Sequence, residues 1–161
     1  DGGAGDDRLE GKGGEEGLSG HTGNDLLIGG AGNDILDGGM TGDPFDLGDQ
    51  LEGGAGADTF LFANAGYSVG PYSRDRILDF SAADGDKLDI HGVLAGVTAT
   101  FIGQGAFTGV AGEVQIFRGF VDFGLPGVSQ IVKADLNGDG ISDFSIQVDS
   151  TAYLTAGDFI F

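Results

Sequence analysis

Acidic side chains stand at positions 7, 16, 25, 34 and 43 of the 161-residue chain, one every nine residues. An apolar residue follows each acid by two, at Leu9, Leu18, Leu27, Leu36 and Phe45. After a slip of six residues Asp49 and Leu51 restart both series, and Asp58 and Phe60 follow nine later. Phased carboxylates among glycines suit the coordination of a hard cation. Two carboxylates with the backbone carbonyls of Gly-rich turns make a flexible, oxygen-only cage. Such a cage fits Ca²⁺, which takes about six to eight oxygens; Mg²⁺ demands a stricter octahedron and keeps its waters. Softer metals want thiolate or imidazole, yet the chain has no Cys and only His21 and His91. Both histidines read as structural, His21 in a turn and His91 after a strand.

The elements that position these acids are short. Six residues rich in Gly and Asp form a tight turn, since Gly tolerates positive φ. The next three carry one apolar side chain and form a strand. One such strand cannot bury its own apolar face, so strands must stack, with Leu9, Leu18, Leu27, Leu36 and Phe45 in a narrow interior. If each nonapeptide is half a coil, same-side turns lie 18 residues apart. Asp7 then pairs with Asp25, Glu16 with Asp34, Asp25 with Asp43, and Asp34 with Asp58 across the slip.

Composition divides the chain. Residues 1–62 hold 19 of the 34 Gly, with 10 Asp and 4 Glu against Arg8 and Lys12, a net charge of −12. Residues 63–161 carry a net charge of −7 and read as short β-segments. A total of −19 excludes nucleic acid and anionic membrane as charge-driven partners. No run of about 18 apolar residues offers a membrane span. Four or five calcium ions would cancel roughly 8 to 10 charges of the first segment. Its glycines make ordering costly, and one apolar residue in nine is too sparse to offset that alone. The segment is therefore expected to be disordered without Ca²⁺ and to fold on binding it. Affinities of roughly 10⁻⁴–10⁻³ M, typical of extracellular modules, would leave it unfolded in the cytosol.

The repeats resemble those of RTX proteins, which bacteria export through type I (ABC-transporter) machinery. Three stretches resemble the C-terminal domain of serralysin-type metalloproteases: 54–62 (GAGADTFLF), 75–80 (DRILDF) followed by 86–90 (DKLDI), and 107–114 (FTGVAGEV). Similar modules sit on lipases, mannuronan epimerases and adhesins. The resemblance implies an all-β fold, a parallel β-roll over residues 1–62 continuing into an antiparallel β-sandwich over 63–161. It also implies ligation by first- and third-place carbonyls and the sixth-place acid of one turn. Second- and fourth-place carbonyls and the acid of the turn above complete each site. Carried over, one site uses Gly2, Ala4, Asp7, His21, Gly23 and Asp25, and another Gly29, Ala31, Asp34, Gly54, Gly56 and Asp58. The remaining turns add Gly11, Gly13 and Glu16 with Gly30 and Gly32, then Gly20 and Thr22 with Gly39, Thr41 and Asp43, and finally Asp49. Asp79 and Asp86 suggest a further calcium near the junction, or merely cap turns. About four to six ions result.

In the second half, strands are expected at 76–80, 87–93, 99–102, 113–120, 130–136 and 144–148, with a core from Phe101, Phe107, Phe117, Phe120, Phe123 and Phe144. Asp135, Asn137, Asp139, Ile141 and Asp143 have the spacing that opens an EF-hand-like calcium loop. The expected twelfth-place acid is replaced by Ile146, and a metal-free hairpin turn explains the loop equally well. The terminal Asp158-Phe159-Ile160-Phe161 resembles the signature of type I export substrates. Its deletion should abolish export and leave calcium-induced folding intact. No zinc-protease, nucleophile-elbow or P-loop motif is present. The chain thus reads as a non-catalytic, monomeric module of a larger protein, secreted or surface-bound, from a Gram-negative bacterium. Its partners are Ca²⁺ and, during export, the type I transporter. The alternative is a calcium-dependent glycan- or surface-binding module of an extracellular enzyme or adhesin.

Overall fold

The computed structural model describes residues 1–40, 47–65, 73–118 and 127–161. The first half gives β1 (Gly3–Ala4), β2 (Arg8–Gly13), β3 (Gly17–Ser19), β4 (His21–Thr22), β5 (Leu26–Ala31), β6 (Ile35–Asp37), β7 (Gln50–Ala55) and β8 (Thr59–Leu61). Then come β9 (Arg76–Phe80), β10 (Lys87–Asp89), the single-turn helix α1 (His91–Leu94), β11 (Thr100–Gly103) and β12 (Glu113–Arg118). β13 (Val128–Asp135), β14 (Phe144–Ser150), a 3₁₀ turn (Ala156–Asp158) and β15 (Phe159–Ile160) complete it.

Successive nonapeptides alternate between two sheets, as half-coils must. One sheet stacks β2, β5, β7 and β9 in parallel, and the other β3, β6, β8 and β10. Leu9 lies beside Leu27, Leu27 beside Leu51, and Leu51 beside Ile77. Facing them run Leu18, Leu36, Phe60 and Leu88. From the second coil onward these column residues are fully buried, whereas Leu9 and Leu18, in the first coil, are only partly buried. Burying each such side chain contributes about 1.5–3 kcal/mol. Phe45, expected in this interior, lies outside the described residues.

The later strands extend the same two sheets. β14 joins β9 in parallel, with Val148 beside Ile77, and β15 joins β10, with Phe159 beside Leu88. Among the described residues antiparallel pairing is confined to β12, β13 and β14 within the long sheet, whose order is β11-β12-β13-β14-β9-β7-β5-β2. The all-β fold, a parallel roll running into antiparallel strands, is as the repeats imply. The core is continuous, and Phe62 meets Phe144 edge-on at 5.7 Å.

Three expectations change. The strand expected to reach Val93 stops at Asp89 and α1 follows, because a helical turn buries both Val93 and Leu94 where a strand would bury only one. Phe117 is not core: it is 45% exposed, since its register with Ile131 puts it on the outer sheet face, where the Lys133 ammonium lies 5.3 Å from its ring. Phe107, expected in the core, is only half-buried and is not among the residues packed in it. The C-terminal residues form an edge strand. Phe159 packs against Phe101, Ile90 donates a hydrogen bond to the Ile160 carbonyl, and Asp158 accepts hydrogen bonds from the Thr155 amide and hydroxyl. Phe144 is buried and Phe101 packs against the core, while Phe120 and Phe123 lie outside the described residues.

Candidate metal centre

The sixth-place acids form two vertical columns, one along each row of turns. In the first, the Asp7 amide donates to Asp25 Oδ1 (2.9 Å), the Asp25 amide to Asp49 Oδ1 (2.8 Å) and the Asp49 amide to Asp75 Oδ1 (2.9 Å). In the second, Glu16 donates to Asp34 Oδ1 (2.8 Å), Asp34 to Asp58 Oδ1 (2.8 Å) and Asp58 to Asp86 Oδ1 (3.0 Å). From the second coil onward each acid is thus fixed by one carboxylate oxygen, while Asp7 and Glu16 at the head of the columns are held by their amides. One carboxylate oxygen is buried without a hydrogen-bond partner in Asp7, Glu16, Asp25, Asp34 and Asp58. Buried polar atoms are nearly always satisfied, and an orphaned carboxylate oxygen is costly.

These oxygens face the next coil's carbonyls. A methyl group on Gly20 would sit 2.2 Å from Asp25 Oδ2 and 2.5 Å from the Gly38 carbonyl oxygen. The same point above Gly29 is 2.5 Å from Asp34 Oδ2 and 2.7 Å from the Gly53 oxygen; above Gly2 it is 2.8 Å from Asp7 Oδ2 and 3.0 Å from the Gly20 oxygen. Above Gly11 the Gly29 oxygen and Glu16 Oε2 converge in the same way. Four pockets of paired oxygens therefore repeat along the roll. Among the described residues no three acidic or imidazole side chains converge as a metal-holding group, so a cation here relies on main-chain oxygens beside one or two carboxylates.

At positions 23, 32 and 56 the fourth place has room only for glycine. Gly32 has φ +135°, and a Cβ there would stand 1.3 Å from the Gly14 carbonyl oxygen. Second-place residues also have positive φ, even where they are Lys12 (80°) and His21 (75°). Along each row of turns further bonds run in the opposite sense, Asp6 Oδ1 accepting from the Asn24 amide and Asn24 Oδ1 from Leu47 on one, and Asn33 Oδ1 from Ala57 on the other. The acids thus hold the coil before them, and these fifth-place side chains hold the coil after.

Electrostatics match this arrangement. Burial pushes the Asp25 and Asp58 carboxyls above the usual range, and neighbouring carboxylates add to the rise. Burial raises Asp75 to about 7 and Asp86 to about 6. Crowded, desolvated carboxylates without a countercharge resist ionisation, which is the environment a divalent cation relieves.

The expected Asp7–Asp25, Glu16–Asp34 and Asp34–Asp58 pairs are brought together. Asp25 is joined instead by Asp49, because the inserted residues lengthen the third coil and carry the acid six positions on; Thr41 and Asp43 lie outside the described residues. Gly13 ends β2 and Thr22 ends β4, while Gly39 and Gly56 lie just outside the strands. Asp79 accepts the Gly53 and Gly54 amides, and Asp86 accepts those of Asp58 and Ser81, so both carboxylates are engaged by main-chain donors. The 135–143 loop joins β13 to β14, and its side chains are engaged within the loop. Asp135 accepts from Gly138 and Gly140, Asp143 from Leu136 and Asn137, Asn137 Oδ1 from Asp139, and Asp139 from Ile141. His91 pairs with Asp89 at 2.5 Å.

Asp75, Gly38 and Gly53 were missed. Asp75 carries the local signature of its column, an acid two residues before the buried apolar position: Asp75-Arg76-Ile77 repeats Asp49-Gln50-Leu51. That signature, rather than the nine-residue count, finds it.

A family profile described as peptidase M10 serralysin C terminal matches residues 2–161. The chain belongs to this serralysin C-terminal family. Two solved structures from Azotobacter vinelandii resemble it. The AlgE6R3 subunit of mannuronan C5-epimerase is 32% identical, with a TM-score of 0.64 over 98% of this chain and 78% of that one. The AlgE6R2 subunit is 27% identical, with a TM-score of 0.56 over 96% and 91%. No curated protein matches. A serralysin C-terminal module is an RTX-type β-roll, and membership implies calcium binding. The residues fit that ion: the donor set is all oxygen, and each column leaves a buried carboxylate oxygen beside a carbonyl.

Proposed function

We propose that this chain is a non-catalytic module that folds outside the cell on binding about four to six Ca²⁺ and carries the signal by which a larger protein is exported through a type I transporter. The observation that carries this reading is the set of orphaned carboxylate oxygens, those of Asp7, Glu16, Asp25 and Asp34 each beside a carbonyl of the next coil. Asp7, Glu16, Asp25 and Asp34, with Gly20, Gly29, Gly38 and Gly53, would hold the ions. Bound calcium supplies positive charge and coordination that these oxygens otherwise lack. The columns then link successive coils, so that ordering of one turn positions the next. Where calcium is scarce the acids repel, the glycine-rich turns gain entropy, and β10 ceases to exist as a partner for β15. The segment Asp158–Phe161 is then free of the sheet and accessible to a transporter. Among the described residues no helix is long and apolar enough to cross a membrane, which accords with a secreted location. The test is circular dichroism against free Ca²⁺. A cooperative rise of β-signal in the range of roughly 10⁻⁴–10⁻³ M is expected, and a complete β-spectrum in excess chelator refutes the reading.

A further inference from the structure

A cavity of about 420 Å³ opens on the outer face of the long sheet, across β9, β13 and β14. Its floor is a polar array built by register. Gln147 lies beside Arg76, and Ser129 beside Asp149. Arg76 Nε and Nη2 each lie 2.5 Å from Asp149 Oδ2, while the Gln147 amide donates to Ser129 Oγ (3.1 Å) and reaches Asp149 Oδ1 (3.4 Å). Leu78 and Val128 supply apolar wall, and Thr151 stands at the rim.

We propose that this cavity binds one ring of a neutral sugar. The volume lies within the range of small-ligand sites, which combine apolar walls with a few fixed polar groups. A donor and an acceptor side by side, as in Arg76 and Asp149, match vicinal hydroxyls, one accepting and the other donating. The C–H face of a pyranose fits against Leu78 and Val128. Charge selects against the other classes. The lining holds one guanidinium against the carboxylates of Asp149 and Asp79, and the chain as a whole carries −19; both repel a uronate or a phosphate. A purely apolar ligand would strand the polar floor. A simple cation finds Asp149 already paired with Arg76. The site would make the module an attachment device in addition to a calcium-folded carrier, and its ligand differs in charge from the mannuronan named for the epimerase subunits.

The test is amide NMR of the calcium-loaded chain titrated with neutral tri- and tetrasaccharides of glucose, mannose and galactose, and with oligomannuronate. Saturable shifts confined to residues 76–80, 127–129 and 149–151 are expected with at least one neutral sugar. Ser129→Trp, which fills the cavity, and Asp149→Asn, which removes the acceptor charge, should each weaken binding at least tenfold with the calcium-induced circular dichroism unchanged. The dichroism reports calcium folding separately, so a protein that folds with calcium yet binds no sugar overturns this inference alone. The inference also fails if oligomannuronate binds more tightly than every neutral sugar, if the shifts map elsewhere, or if either folded variant binds as the parent does.

Discussion

Replacing Asp25 by Asn separates what the carboxylate does for the chain from what it does for the ion. Asp25 is 2% exposed and sits between Asp7 and Asp49 in its column. Asn keeps an oxygen to accept the Asp7 amide and puts an NH₂ where Oδ2 faces the Gly38 carbonyl. Without calcium the substitution removes a charge that burial and like-charged neighbours already disfavour, so the metal-free chain should be no less structured and should gain stability. With calcium the sign reverses. Removing one partner of a buried opposite-charge pair costs about 3–5 kcal/mol. Spread over about four ions taken up together, that is about 1 kcal/mol per ion, or roughly a fivefold rise in the calcium midpoint. Calcium titrations of parent and Asp25→Asn by circular dichroism, with the residual β-signal of each in chelator, measure both arms. An unchanged midpoint, or a metal-free variant less structured than the parent, would refute the assignment of Asp25 Oδ2 to the ion.

Gly32→Ala should cost more than about 2 kcal/mol and suppress calcium-induced folding, because it forces a side chain into a region of positive φ and onto the Gly14 carbonyl. Gly17→Ala, with open space around it, should change stability by no more than about 0.5 kcal/mol; equal effects of the two in calcium-dependent melts would contradict the stacking. In calcium-free buffer, the raised carboxyls of Asp75 (about 7) and Asp86 (about 6) mean that the folded chain holds protons the unfolded chain has released. Metal-free β-signal should therefore grow as pH falls from about 8 to about 5, and the calcium midpoint should rise over the same window; a metal-free signal that falls would reverse the sign. Deleting Asp158–Phe161 should abolish export from a type I host and also destabilise the calcium-loaded fold by about 1.5–3 kcal/mol, since Phe159 occupies the interior column. Secretion at parental levels, measured in the culture supernatant, would remove the export role.

The roll was legible because its period is covalent. A fixed spacing of acid and apolar residue sets which face each side chain takes, and Asp7, Asp25, Leu27 and Leu36 all stand where that spacing puts them. It failed where the count changed but the geometry did not. Asp49 and Asp75 continue a column whose spacing grows from 18 to 24 to 26 residues, and only the local acid-x-apolar signature survives. Val148 and Phe159 complete the two apolar columns from far along the chain, and no period announces them; strand order and twist decide it. Phe117 was misplaced for the same reason, since facing in a non-repetitive strand follows register with a distant partner. The fifth-place bonds of Asp6, Asn24 and Asn33 lay hidden because Asn in a glycine-rich turn reads as turn chemistry.

The lengthening of the third coil bears on engineering. Residues were added between Met40 and Leu47 without shifting any side chain on the strands before or after: Leu27 still lies beside Leu51, and Leu36 beside Phe60. The scaffold tolerates added sequence provided that the acid and its apolar companion resume in phase. A peptide epitope, a fluorophore site or a recognition sequence spliced between Met40 and Leu47 would ride on a rigid stack and be displayed only when calcium is present.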